Sequence, residues 1–267
     1  MIVDFHTHIY PERVAEKAAA FVREMGLEPG ASGTPDGLLA SMDAAGIDLA
    51  VGATVVTSPE KSRSINDYAI ACNHGRLRMF GGVHPSESKP LETLERIAGE
   101  GLFGVKVHPE YQHFDFEDES LYPIWEKCIE LRLPLLTHAG YDIAYKPPFR
   151  TCPEKLAAFH RRFPELVFVA AHFGSYRMWD EVEEHLIGTQ VYLDLSMVMN
   201  ELPPERVVSM IRRHGAEKVL FATDSPWDDQ TRCVKNLENL GLTPEEFRAI
   251  AGENALRLLA ASPGGRR

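Results

Sequence analysis

The chain has 267 residues, 44% of them hydrophobic and 25% charged, which is the composition of a globular domain that folds without disulfides or a structural metal. Its formal net charge of −11 argues against general nucleic-acid binding, because an acidic surface repels phosphate backbones. Four cysteines without a CxxC pair, no signal-peptide pattern and no apolar run of about 18 residues predict a cytoplasmic protein that does not cross a membrane.

The apolar residues cluster in eight short runs rich in valine, isoleucine, leucine and phenylalanine. Each run is apolar almost throughout, which is typical of parallel strands that are covered on both faces. In chain order the predicted strands are Ile2–Phe5, Leu49–Val56, Arg78–Val83, Phe103–Val107, Leu133–Thr137, Val167–Ala171, Val191–Leu195 and Val219–Thr223.

Segments of helical period separate these runs, and strict alternation of strands and helices indicates an α/β fold with a parallel sheet. No GxGxxG follows the first strand, so the dinucleotide-binding fold lacks its main signature. We therefore predict a single (β/α)8 TIM barrel over residues 1–262 and a disordered tail at 263–267. The predicted helices are Glu12–Met25, Asp36–Ala45, Ser62–His74, Leu91–Gly99, Leu121–Leu131, Pro153–Phe163, Tyr176–His185, Pro203–His214, Thr231–Leu240 and Pro244–Leu259.

Four histidines and one aspartate occupy matching positions at the carboxyl ends of predicted strands. They are His6, His8, His138, His172 and Asp224. In a barrel these ends converge on one mouth, where the active site lies. A single histidine at such a position is usually a hydrogen-bonded residue with no ligand role, but five residues in one register indicate a site. Imidazole and carboxylate together suit Zn²⁺, Mn²⁺, Fe²⁺ or Co²⁺, so the sequence predicts a divalent metal at the mouth.

Five motifs, taken in order, resemble one family. They are D-F-H-T-H at the start, K-V-H-P at 106–109, T-H-A-G at 137–140, H-F-G at 172–174 and A-T-D-S-P at 222–226. Together they resemble the amidohydrolase superfamily, and most closely its amidohydrolase-related branch, family 2. The resemblance implies that His6, His8, His138 and Asp224 bind the metal, and that Asp224 also handles the proton of a metal-bound water. It makes His172 either a ligand of a second metal or a general acid and base beside a single one.

The fourth strand departs from the binuclear members of the superfamily, in which a carboxylated lysine or a glutamate bridges two metals. This sequence has Lys106 there. One interpretation makes Lys106 the bridging carbamate of a second metal site that includes His172. The other makes it a counter-charge to Asp224 or an anchor for a substrate carboxylate. We favour the second and predict one divalent metal per chain, with Zn²⁺ ahead of Mn²⁺, Fe²⁺ and Co²⁺.

Several other residues near the predicted mouth are weaker candidates for substrate contacts, since most loop residues of this kind are simply solvated. They are His84, His108, Arg150, Arg177 and Trp227. Strand alternation places Asp4 on the same face as His6 and His8, and it is predicted to support one of the histidine rings.

The first functional expectation is a metal-dependent hydrolase that opens an amide, lactone or ester bond of a small molecule. A non-oxidative decarboxylase of a small aromatic or muconate-type acid is the main alternative, because the same branch contains both and the motifs overlap. A TatD-type nuclease and an inactive scaffold are weaker interpretations. The nuclease would need a glutamate at the fourth strand, and the scaffold would need a missing ligand. The sequence leaves a homo-oligomer open.

Overall fold

Eight parallel strands form one sheet in which the spatial order of the strands is their order along the chain. The structure is a computed structural model that describes residues 1–266. Each predicted apolar run overlaps one of the strands, and neighbouring strands pair in parallel throughout. The strands are β1 (Val3–Thr7), β2 (Leu49–Ala53), β3 (Leu77–Gly82), β4 (Val105–Val107), β5 (Leu135–Thr137), β6 (Phe168–Ala170), β7 (Tyr192–Asp194) and β8 (Val219–Leu220).

Main-chain hydrogen bonds between β1 and the segment at and after β8 close the sheet. Phe5 N donates to Phe221 O at 2.9 Å, and Asp224 N donates to His6 O at 2.8 Å. The sheet is therefore a barrel, and the predicted (β/α)8 fold is confirmed. Closure also brings the segment that follows β8, including Asp224, directly beside His6.

Helices fill every connection between strands, and several begin at a proline in the first helical position. Thr34 caps α2 by accepting a hydrogen bond from Gly37 N, and Thr243 caps α11 in a reciprocal capping box with Glu246. The helices are α1 (Glu12–Glu24), α2 (Pro35–Ala45), α3 (Ser62–Cys72), α4 (Pro90–Gly99), α5 (Pro109–Gln112), α6 (Tyr122–Leu131), α7 (Pro153–Arg162), α8 (Trp179–His185), α9 (Pro204–His214), α10 (Gln230–Glu238), α11 (Pro244–Arg248) and α12 (Asn254–Ala261).

The last predicted helix differs from the structure. The periodicity of Pro244–Leu259 predicts one helix, but a π-helical turn at Ala249–Glu253 separates α11 from α12. Gly252 lies against the main chain of Met1, where a Cβ atom would come within 2.6 Å of Met1 O. The widened turn lies where the helix packs under the barrel, a contact that sequence period alone does not reveal.

The core has an inner and an outer layer. Inside the barrel, Phe5 meets Phe80 edge-on at 5.7 Å, and this layer continues to Leu258 and Leu259 of α12. The larger outer layer fills the space between strands and helices, around residues such as Trp125. Because apolar side chains fill the interior down to α12, the polar residues at the carboxyl ends of the strands are left to form the site.

One irregularity in β1 overturns the expected alternation. Asp4 pairs with Ala50 of β2, but Thr7 pairs with Gly52, so β1 holds one extra residue between these two pairs. Such a bulge turns the following side chains to the other face. Asp4 consequently bonds Thr223, Gln230 and the main-chain nitrogen of His6, whereas the rings of His6 and His8 bond Asp194 and Ala53 O. The prediction that Asp4 supports a histidine ring is wrong.

The disordered tail predicted at 263–267 stays a prediction, and the structure places a short turn within it. Gly264–Arg266 form a 3-10 turn, and a Cβ atom at Gly264 would lie 2.5 Å from Gly101 O. This turn therefore packs closely against the segment before β4. Arg267 lies outside the described residues. Within residues 1–266, no helix has the length and apolar character needed to cross a membrane.

Candidate active site

Three of the predicted ligands meet at the mouth of the barrel. Asp224 Oδ1 lies 3.0 Å from His8 Nε2 and 3.4 Å from His6 Nε2. The ligand atoms of the three residues all lie within 4.8 Å of one another, and all three residues are buried. Two imidazoles and a carboxylate at such distances form a donor set of the kind that holds zinc, manganese or iron.

The hydrogen bonds of the two histidine rings decide which nitrogen faces the site. His6 Nδ1 lies 3.0 Å from Asp194 Oδ2, and His8 Nδ1 lies 2.8 Å from Ala53 O. Both partners can only accept, so each Nδ1 carries the hydrogen. In the neutral rings, Nε2 then turns a lone pair toward Asp224 Oδ1, which also has only lone pairs to offer. A divalent cation among these three atoms would resolve that repulsion, so the residues fit a metal.

Electrostatics favour the charge states that a metal needs. Burial and the nearby Lys106 hold the pKa of His6 well below its usual value, so this imidazole is neutral at pH 7. Burial works to raise the pKa of Asp224, but the positive charge that His6 and His8 carry when they are protonated outweighs it and holds the pKa well below its ordinary value. Ligands that already lack their protons bind a cation without displacing protons first.

Two of these residues have an unusual backbone conformation. Asp224 has φ 64° and His172 has φ 58°. Residues other than glycine rarely adopt this left-handed region, which costs of the order of 1–3 kcal/mol and recurs at functional sites. Both residues lie in the loops that follow their strands, Asp224 four residues after β8 and His172 two residues after β6.

His138 lies on the other side of the mouth and is bonded to His172. His138 Nδ1 is 3.2 Å from His172 Nε2, and the two rings meet at a centroid distance of 5.0 Å. His138 Nε2 is buried and has no hydrogen-bond partner among the described residues. An orphaned, buried ring nitrogen is what a metal ligand would present, but within 4.8 Å His138 groups with His108 and Asp142 and not with His6, His8 and Asp224. His138 therefore stays a predicted ligand.

His172 is held at both ring nitrogens. Its Nδ1 lies 2.9 Å from Ser196 Oγ, and Ser196 Oγ donates to Asp194 Oδ1 at 2.5 Å. Burial lowers the pKa of His172, although Asp224 and Asp194 oppose the change. His172 is therefore a neutral ring that links His138 to Ser196.

Sequence reasoning missed Asp194 and Ser196. Both are fully buried, and they lie two residues apart in the D-L-S stretch at the carboxyl end of β7. The signal that could have found them is this D-x-S spacing at a strand end, since residues two apart face the same side. The histidines drew attention first because imidazole is the commoner metal ligand.

Lys106 enters the site from β4. Its Nζ lies 3.0 Å from His6 Nε2, and its side chain is almost fully buried. Burial lowers the pKa of Lys106 to about 8, against the opposing pull of Asp224 and Asp194. Among the lysines and arginines whose side chains the structure describes, Lys106 alone is buried. The site therefore contains one ammonium group close to the ligand atoms.

A second group of potential ligands consists of His108, His138 and Asp142. Its geometry is less suited to a metal, because the rings of His108 and His138 are parallel within 5° at a centroid distance of 4.2 Å. Lone pairs in two stacked planes do not converge on one point. His108 is also engaged elsewhere, since its Nδ1 accepts from Tyr111 N and its Nε2 lies 3.4 Å from Asp142 Oδ2.

The remaining predicted substrate contacts fall into two groups. His84 Nδ1 accepts a hydrogen bond from Ser86 N in a turn, Arg150 pairs with Asp115, and Arg177 makes two bonds to Glu201. These three are occupied by partners of their own. Trp227 packs near Tyr10 at 6.3 Å, and Tyr10 stacks over His8 at 6.4 Å.

Aromatic side chains line more of the mouth than the sequence suggested. Tyr111 meets His108 edge-on at 4.3 Å, and Tyr145 meets Tyr111 at 5.3 Å. Together with Tyr10 and Trp227, they place aromatic rings beside both His8 and His108. Rings of this kind pack well against a planar ligand, so the arrangement suits a flat, conjugated molecule.

Comparison with known proteins agrees with this architecture. Three similar solved structures are an uncharacterised TIM-barrel protein of Bordetella bronchiseptica (20% identity, TM-score 0.77, covering 97% of this chain and 98% of that one), a 5-carboxyvanillate decarboxylase of Sphingomonas paucimobilis (16%, 0.72, 97% and 98%) and a dihydroxybenzoic acid decarboxylase of Polaromonas with bound manganese (16%, 0.71, 97% and 96%). At these identities the likeness shows the fold alone. No curated protein sequence matches significantly. The family model Amidohydro_2, described as amidohydrolase, matches residues 3–260, and the chain therefore belongs to this family of metal-dependent amidohydrolase-superfamily enzymes.

Proposed function

We propose that the protein is a metal-dependent, non-oxidative decarboxylase of a small aromatic or muconate-type carboxylic acid. The observation that carries the proposal is the buried ammonium of Lys106, 3.0 Å from His6 Nε2, in a mouth lined by aromatic rings. Hydrolysis of an amide, lactone or ester, which the sequence put first, becomes the second candidate.

The proposed ligands of the metal are His6, His8, His138 and Asp224, with Zn²⁺ or Mn²⁺ as the favoured ion and one ion per chain. When bound, such a cation attracts the negative oxygens of a substrate and stabilises charge that develops on them. Every further step falls to the side chains of the chain itself.

Lys106 is proposed to hold the substrate carboxylate. A charge at a site excluded from water acts strongly on an opposite charge, because the local dielectric is low. Neither Arg150 nor Arg177 is placed for this task, since Asp115 and Glu201 pair with them. We prefer this role for Lys106 to the bridging carbamate, which would remove the positive charge.

Asp224 is proposed to move the proton. Its low pKa keeps the carboxylate ionised at neutral pH, so it must take up a proton before it can donate one. A hydroxyl group on a conjugated substrate can supply that proton. The oxyanion that remains donates electron density to the conjugated system. Asp224 then delivers the proton to the carbon that bears the carboxylate, the bond to the carboxyl carbon breaks, and CO₂ leaves. The oxygen regains a proton from solvent, so the overall reaction consumes one proton.

His172 is proposed to assist this step indirectly, through its contact with His138. Because its two nitrogens bond His138 and Ser196, it is proposed to orient His138 and to accept or return a proton only if one of these bonds opens. Two of the similar structures add support, since they are decarboxylases of 5-carboxyvanillate and dihydroxybenzoic acid, both hydroxylated aromatic acids.

One observation keeps hydrolysis as the second candidate. Asp224 Oδ1 faces Nε2 of both His6 and His8, which is also where a general base would sit to activate water for attack on a carbonyl. The two reactions use the same ligands, and the pocket decides between them.

The test is a panel of carboxylic acids and a panel of lactones, esters and amides, each incubated with the protein and Mn²⁺ or Zn²⁺. The acids include 2,6-dihydroxybenzoate, 5-carboxyvanillate and a muconate. We expect CO₂ release from an acid bearing a hydroxyl next to the carboxyl-bearing carbon. In D₂O the product should carry one deuterium at that carbon.

Lys106→Met is the matched variant, because it keeps the length of the side chain without its charge. The proposal expects it to raise KM for the acid and to lower kcat. Hydrolysis of a lactone, ester or amide that depends on Asp224, without CO₂ release from any acid, would contradict the decarboxylase and favour the second candidate.

A further inference from the structure

One carboxylate lies at the centre of the hydrogen bonds behind the proposed metal ligands. Asp194 is fully buried, and its Oδ2 lies 3.0 Å from His6 Nδ1. Its Oδ1 accepts from the main-chain nitrogens of His172 at 2.9 Å and Ser196 at 3.1 Å, and from Ser196 Oγ at 2.5 Å. Asp194 therefore touches β1 on one side and the β6 and β7 ends on the other.

The direction of each hydrogen bond in this chain follows from Asp194. A carboxylate only accepts, so Ser196 Oγ must give it its single hydrogen. Ser196 Oγ can then only accept from His172, which places the hydrogen of that ring on Nδ1. In the neutral ring, His172 Nε2 is left as an acceptor, and it faces His138 Nδ1 at 3.2 Å. The hydrogen of His138 therefore lies on Nδ1, and its Nε2 keeps a lone pair.

We propose that Asp194 is the positioning residue of the site: directly for His6, and through Ser196 and His172 for His138, it fixes the tautomers that leave on Nε2 the lone pair that would bind the metal. This inference rests on the metal site of the proposed function but not on its reaction. Outer carboxylate partners that orient ligating imidazoles strongly affect metal binding, and here one group serves two ligands on different strands.

Asp194→Asn offers a sharp test because the surroundings dictate how asparagine must sit. Two main-chain N–H groups point at Oδ1, so the asparagine has to place its carbonyl oxygen there. Its NH₂ group then faces His6 Nδ1 and can only donate. His6 Nδ1 can meet this NH₂ group only as an acceptor, which puts the ring hydrogen on Nε2 at the expense of the bond from Lys106 Nζ. The lone pair that would bind the metal is then lost.

Ser196→Ala and Asp4→Asn are the matched controls. The alanine variant removes only the hydroxyl that links Asp194 to His172. Asp4 is also a fully buried aspartate, but its carboxylate accepts from the main-chain nitrogens of His6 and Thr223 and from the side chains of Thr223 and Gln230, and it bonds no histidine ring. An asparagine can keep its carbonyl oxygen on the two main-chain nitrogens. Gln230 Oε1 has no hydrogen-bond partner within the described residues, so a turned Gln230 amide can accept from an asparagine at position 4.

Two measurements without substrate read the result. Zinc affinity is measured by competition with a chromophoric chelator, and two-bond ¹⁵N–¹H spectra of zinc-free, histidine-labelled protein report which ring nitrogen carries the hydrogen. We expect Asp194→Asn to lower zinc affinity about 10–100-fold, the range seen for outer partners of metal ligands. Ser196→Ala should lower it less, Asp4→Asn should leave it unchanged, and only Asp194→Asn should shift the His6 hydrogen to Nε2.

The inference is overturned if Asp194→Asn binds zinc like the unmodified protein, or if the His6 hydrogen stays on Nδ1. It is also overturned if Asp4→Asn loses as much affinity as Asp194→Asn, because loss of any buried carboxylate would then explain the effect. Failure of the decarboxylation assay leaves these outcomes untouched, since no substrate is present.

Discussion

Replacing Lys106 with methionine is expected to stabilise the protein while it removes the proposed substrate anchor. Burial lowers the pKa of Lys106 from 10.5 to about 8, even though Asp224 and Asp194 favour its charge. At about 1.4 kcal/mol for each pH unit, the buried ammonium costs about 3 kcal/mol of folding free energy at pH 7. Methionine fills a similar volume without the charge.

Part of that gain is lost with the hydrogen bond between Lys106 Nζ and His6 Nε2, worth about 1 kcal/mol. We therefore expect a net gain of about 2 kcal/mol, or about 4–8 °C in Tm for a chain of this size. The folded pKa lies below the unfolded one, so the cost is fully present below pH 8 and fades as the pH rises toward 10.5. The advantage of the variant should accordingly shrink to less than about 1 kcal/mol at about pH 10.

Chelator-treated protein is unfolded by urea at about pH 7 and about pH 10, and the free energy of unfolding of the variant is compared with that of the unmodified chain. Lys89→Met is the control, because Lys89 is exposed and pairs only with Glu92; it should change stability by less than about 0.5 kcal/mol. A Lys106→Met variant that is less stable at neutral pH, or whose advantage does not depend on pH, would refute the reasoning.

Three further predictions concern single histidines and the catalytic carboxylate. His8→Ala should lose the bound metal but keep its far-UV circular dichroism, because the barrel core does not depend on the mouth. His172→Asn should weaken metal binding modestly, because it removes the ring that orients His138, and lose about 10²–10⁴-fold in turnover. Asp224→Asn removes a proposed ligand, so it should lose at least as much turnover and considerably more metal affinity; equal metal loss in both variants would place His172 among the ligands. Burial lowers the pKa of His214 from 6.5 to about 4. Between these two pH values His214 is protonated in the unfolded chain but not in the folded one, so the free energy of unfolding falls as the pH drops from 6.5 to about 4. His214→Gln should remove up to about 3 kcal/mol of that fall in acid unfolding curves.

The barrel could be predicted from the sequence because its signal is local and repeated. Apolar runs mark each strand, and the polar residues that follow them mark one end of the barrel. This is why His6, His8 and Asp224 could be assigned to one site from the order of the strands alone. Their short distances follow from closure of β1 against the segment after β8, which the order of elements already implies. Their binding of a metal stays a prediction.

What the sequence could not predict depends on partners far away along the chain. The bulge in β1 exists only in register with β2, so alternation misplaced Asp4. Arg150 and Arg177 were candidates for substrate contacts because their ion-pair partners, Asp115 and Glu201, come from other loops. Asp194 was overlooked for the same reason, since its importance comes from its contacts with His6 and Ser196.

Anomalous scattering from a crystal grown with Mn²⁺ or Zn²⁺ tests the central claim most directly. The account predicts one metal peak per chain, within bonding distance of Nε2 of His6, Nε2 of His8, Nε2 of His138 and a carboxylate oxygen of Asp224. A second peak of equal height bridged by Lys106 would contradict the single-metal site. A single peak between His108 and Asp142, or none at the mouth, would contradict the account as a whole.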